Sequence, residues 1–100
     1  MIKINKRINS IEIIGHADYA EFGKDIICAA ISTLSFNLIN SIEELSDDLI
    51  EVEVDTGHIQ ISYRELSESS KLLVSSFFIG VSEVANTYPD YVKITGADEL

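Results

Sequence analysis

Two residues of this 100-residue chain are equipped for covalent chemistry together: His16 and its single cysteine, Cys28, twelve positions later. A thiolate is a strong nucleophile, and an imidazole is the base and ion-pair partner that commonly generates it. They lie in the run Gly15-His16-Ala17-Asp18-Tyr19-Ala20-Glu21-Phe22-Gly23-Lys24-Asp25-Ile26-Ile27-Cys28. The pattern predicts a strand ending at His16, a glycine-bounded loop over 17–24, and a helix from Asp25. With Asp25 as N-cap, Cys28 is the third helical residue. Its sulfur then lies near free backbone N–H groups and the positive end of the helix dipole, which favour a thiolate and can hold an oxyanion.

Other residues of this stretch are candidate supports. Ser32 is one helical turn beyond Cys28 and shares its face; it either hydrogen-bonds the site or bonds back to its own helix. Gly15 and Gly23 allow close backbone approach and a hinge for the loop. Tyr19 and Phe22 either grip an apolar substrate or anchor the loop. The plainer reading is a small buried cysteine beside Ala29 and Ala30 and a surface histidine at a strand end, and a twelve-residue spacing alone is not specific. Cys28, His16 and His58 lack the paired spacing of a metal site, so no metal and no cofactor are expected. His58, at the start of a strand, is given no role.

The elements that must position this pair follow from periodicity. Residues 2–8 and 10–16 read as two strands meeting at a turn near Asn9-Ser10. From Asp25 to about Leu45, apolar residues recur at three- and four-residue steps, as in a helix. Residues 49–55 and 58–63 alternate on either side of Thr56-Gly57, which predicts a hairpin. Residues 67–88 form a second helix, capped by Ser67 or Ser69 and ended at Tyr88-Pro89, and 91–95 form a last strand. The order ββαββαβ implies a single α+β domain over 1–100, with a mostly antiparallel sheet and two helices. The second helix is apolar nearly all round, so its extra face is expected to pack on the first helix or on a second subunit.

Composition narrows the function classes. The formal net charge is −10, and residues 1–24 carry a net +1, leaving −11 for the rest. Such a surface argues against direct nucleic-acid binding and suits a basic partner. One cysteine gives no internal disulfide and fits a reducing compartment, so a cytoplasmic location is expected. No unbroken apolar run approaches the roughly 18 residues of a membrane span, and the first residues lack the apolar centre of a signal peptide.

Taken whole, Gly15-His16-Ala17 followed by Gly23-Lys24-Asp25-Ile26-Ile27-Cys28-Ala29-Ala30-Ile31-Ser32 resembles the signature of the ribosomal-processing cysteine protease family, Prp. The resemblance extends to element order, length, acidity and the Tyr88-Pro89-Asp90-Tyr91 ending. It implies a homodimeric endopeptidase that removes a short N-terminal extension from a large-subunit ribosomal protein, cutting after an apolar, aromatic-containing motif. It maps the nucleophile onto Cys28 and the base onto His16, with Gly15, Gly23, Asp25 and Ser32 as supports. Two other classes stay open on the residues alone: a non-catalytic module that binds the ribosomal peptide, and a single-thiol redox sensor.

Overall fold

Alternation of isoleucines with polar residues dictates which way each strand faces. In Ile2-Lys3-Ile4-Asn5, Ile11-Glu12-Ile13 and Ile59-Gln60-Ile61, every isoleucine is buried and every alternate residue is not. Such segments stabilise by laying one face on an apolar layer. The computed structural model describes residues 1–15 and 22–96, with the backbone alone for 22–25. Its elements are β1 (Ile2–Arg7), β2 (Ser10–Ile14), α1 (Phe22–Leu45), β3 (Ile50–Asp55), β4 (His58–Tyr63), α2 (Glu68–Thr87) and β5 (Val92–Thr95).

The α+β order read from the sequence is the observed one. The strands lie side by side as β3-β4-β2-β1-β5. Three pairings are antiparallel and β1–β5 is parallel, because α2 carries the chain back across the sheet before β5. The isoleucine face packs on Ile27, Ile31, Leu38 and Ile42 of α1 and Val74, Phe77, Phe78 and Val81 of α2. The helices run antiparallel: Ser70 at the start of α2 donates to Ser46 just past the end of α1 (3.1 Å), and Gly80 lies against Leu34. Ile26–Leu45 has a mean hydropathy of 1.4, long and apolar enough to cross a membrane by length and composition, although no unbroken apolar run predicts it. Its buried face is the one on the sheet.

The end signals hold at α2 and at the close of α1, Leu45, and fail at the start of α1. Ser67, not Ser69, caps α2, accepting from the Ser70 N–H at 3.3 Å. Asp48 fixes that cap by accepting from the Ser67 N–H at 2.9 Å and its hydroxyl at 2.8 Å. Tyr88 closes the helix before Pro89, its N–H donating to the Val84 carbonyl. By contrast α1 opens at Phe22, so Asp25 is its fourth residue and not its N-cap. A short polar side chain is compatible with a first turn as well as with a cap, so residue type alone did not fix the boundary.

The other sheet face carries a polar chain across four strands. Thr95 donates to the Asn5 side-chain oxygen (2.6 Å), and Asn5 donates to Glu12 Oε1 (3.2 Å), which Arg7 also reaches at 3.3 Å. Glu12 Oε2 meets His58 Nε2 at 3.0 Å. The His58 bond, then those of Asn5 and Arg7, outweigh burial and hold the Glu12 carboxyl below the usual carboxylate range. At the end of β2, Gly15 adopts φ +108° and donates its N–H to the Gly57 carbonyl at 2.9 Å, and a Cβ there would sit 2.3 Å from the Met1 carbonyl oxygen.

Two consequences are measurable. Glu12 is more acidic folded than unfolded, so its stabilisation is complete above the unfolded value and is lost as pH falls through the folded one. Urea unfolding at a series of pH values from neutral downward should give Glu12→Gln a shallower loss of stability than the parent, and parallel curves would refute the assignment. Gly15→Ala should cost about 2 kcal/mol or more, read as a lowered unfolding midpoint, because it forces both a disfavoured φ and a backbone clash.

Candidate active site

Cys28 is the seventh residue of α1, and its rotation is set by Ile27 and Ile31, both buried against the sheet. Half-buried itself, Cys28 opens a stripe that continues one and two turns on with Ser32 and Phe36. All three line a cleft of about 230 Å³. Its opposite wall is the end of the β3–β4 hairpin, Val54, Asp55 and Gly57 through Ile59, and Ile13 and Gly15 from the end of β2 also line it. The Gly15–Gly57 hydrogen bond ties that wall to the strand that leads into His16. The thiol therefore sits in a concave, mostly apolar cleft, the setting in which a peptide can be bound and shielded from water.

Of the residues singled out in the sequence, the structure brings Gly15, Cys28 and Ser32 to one cleft. Gly15 meets the requirement for close approach predicted for it. Phe22, Gly23 and Asp25 lie in the first turn of α1, where only their backbone is described. Gly23 thus lies in the first turn of the helix, and the loop predicted over 17–24 gives up residues 22–24 to it. His16 and Tyr19 lie outside the described residues, as does the rest of that loop.

The helix start also changes the electrostatic argument. The unpaired amides of α1 belong to the turn opening at Phe22. Phe22 to Cys28 is a rise of roughly 9 Å, and the dipole's influence fades within the first turn. The helix-start amides therefore lie farther back from the sulfur than expected with Asp25 as cap.

The second histidine borders the cleft, but its ring is engaged elsewhere. Ile59 and Ile61 point to the helices, so the alternating His58 ring lies on the opposite sheet face, bonded to Glu12. Among the described residues, no group of three His, Cys, Asp or Glu side chains could hold a metal ion. The sequence reading missed Phe36 and Val54 as cleft walls. Phe36 was detectable as the next member of the Cys28–Ser32 stripe, whereas Val54 comes from a hairpin distant in sequence.

Comparison with known proteins agrees with this geometry. The family model described as "Cysteine protease Prp" matches residues 1–93. The ribosomal processing cysteine protease Prp of Mycoplasma genitalium is 35% identical over 96 residues, covering 94% of each chain. That of Bacillus subtilis is 26% identical over 98 residues, covering 91% of this chain and 88% of the relative. The fold is similar to that of the Staphylococcus aureus protease Prp in complex with a substrate peptide, with a TM-score of 0.82 at 21% identity over 94% of this chain and 95% of that one. A near full-length sequence match of this kind, on a fold that sets the single thiol of the chain in a cleft, places the chain in the cysteine protease Prp family.

Proposed function

We propose that this protein is the endopeptidase that removes a short N-terminal extension from a large-subunit ribosomal protein, with Cys28 as nucleophile and His16 as base. The observation that carries the reading is the placement of the only thiol in the cleft lined by Ser32, Phe36 and the hairpin end. His16 follows directly on Gly15, which lines the same cleft, and this supports its role. Because the free amides of α1 lie a turn back from the sulfur, an imidazolium at His16 is the stronger means of holding the thiolate.

In this reading the His16 imidazole takes the Cys28 proton, and the thiolate adds to the scissile carbonyl carbon. The tetrahedral intermediate collapses to a thioester as the C–N bond breaks, and His16 gives its proton to the departing amine. His16 then deprotonates a water that attacks the thioester, releasing the new carboxyl terminus and restoring the thiol. Asp25 and Ser32 are read as supports for this pair. The exposed carboxylates Glu51, Glu53 and Asp55 along β3 favour a basic ribosomal substrate.

The reading includes a cytoplasmic homodimer. Leu72 and Ile79, 72% and 74% exposed, share one stripe of α2 two turns apart and support a subunit contact there. The reaction is tested with a synthetic peptide carrying an apolar, aromatic-containing extension, followed by mass spectrometry. The parent should make a single cut after the aromatic residue. Cys28→Ala and His16→Ala should each lower the rate by about 10³-fold or more, given what nucleophile and base removal cost elsewhere. Retained cleavage by Cys28→Ala removes the nucleophile, and binding without any cut by the parent favours a binding module instead.

A further inference from the structure

We propose that Phe36, with Val54 facing it across the cleft, forms the subsite that selects an apolar side chain about three residues from the scissile bond. This rests on the proteolytic reading and adds to it where sequence selectivity resides.

Phe36 is 40% exposed on α1, among exposed polar neighbours Ser32, Thr33 and Asn37. Val54 is 56% exposed and points to the helix side of the sheet, as Val52 and Ile50 do. Both side chains keep apolar surface exposed, and both line the cleft that holds Cys28. An aromatic and a branched side chain facing each other across a cleft form a slot for a third apolar group, worth most when that group is fully desolvated.

Spacing gives the subsite its address. Eight residues separate Cys28 from Phe36, a rise of roughly 12 Å along the helix. An extended peptide advances about 3.3 Å per residue, so a peptide laid along this stripe places its third or fourth residue beside the Phe36 ring. The strand beside the slot suits an extended chain. Among the described residues β3 is an edge strand paired with β4 alone, and its other edge offers main-chain donors and acceptors while Val54 supplies a side-chain contact. The occupant is therefore an extended, apolar stretch of the substrate, continuous with the segment held at Cys28.

The test is an alanine scan of the synthetic extension peptide, with kcat and KM measured for the parent, Phe36→Ala, Phe36→Leu and the control Ile8→Ala, an exposed turn residue away from the cleft. In the parent, replacing the apolar residue about three positions from the cut should lower kcat/KM by about tenfold or more, and Phe36→Ala should shrink that penalty to about twofold or less. Phe36→Leu should restore part of it, and Ile8→Ala should keep all of it. An unfolding midpoint for Phe36→Ala close to the parent's ties the effect to recognition. If the parent cleaves and Phe36→Ala keeps the parent's penalty at every scanned position, the subsite is refuted and the protease stands. If the parent cleaves none of the peptides, both readings fall.

Discussion

The seating of α1 on the isoleucine face of the sheet is the constraint on which the site depends. Ile27, Ile31, Leu38 and Ile42 are each 2% exposed or less. A helix turns about 100° per residue, so burying this stripe leaves one rotation available. That rotation turns the adjoining stripe of Cys28, Ser32 and Phe36 toward the β3–β4 hairpin. Rotating the helix to bury Cys28 fully would expose isoleucine at about 2 kcal/mol or more for each side chain. The core, against which Cys28 itself packs, thus aims the thiol.

The opposite wall is held by backbone geometry rather than by side chains. Gly15 reaches the hairpin turn because it lacks a Cβ, and its N–H bonds Gly57 where a larger residue would strike Met1. A short hydrogen bond at the end of β2 therefore sets the separation between the strand leading to His16 and the wall facing Cys28. The polar chain of Thr95, Asn5, Glu12 and His58 does comparable work on the far face, tying four strands together away from the cleft. It also engages the ring of the second histidine.

Electrostatics at the thiol differ from those of a cysteine at a helix N-cap. With α1 opening at Phe22, Cys28 is already inside the hydrogen-bonded ladder. Charge stabilisation at the sulfur then falls mainly to side chains. The apolar walls contribute in the same direction, since a low local dielectric strengthens a thiolate–imidazolium pair once a peptide has displaced water.

Alternation and helical periodicity are local properties, and they determined the order ββαββαβ and the hairpin at Thr56-Gly57 almost residue by residue, while leaving the cap of α2 between Ser67 and Ser69. The Gly-His and Asp-Ile-Ile-Cys-Ala-Ala-Ile-Ser segments likewise carried the family in their own letters. The start of α1 was misread because Asp25 suits a first turn as well as a cap, and nothing local weighs one against the other. Tertiary structure alone decided that Val54 and Gly57 face Cys28, that His58 turns away to Glu12, and that β5 joins β1 in parallel. Those facts depend on strand order and on which helix face is buried. Both are settled by the burial of the whole core at once, which no short stretch of sequence encodes.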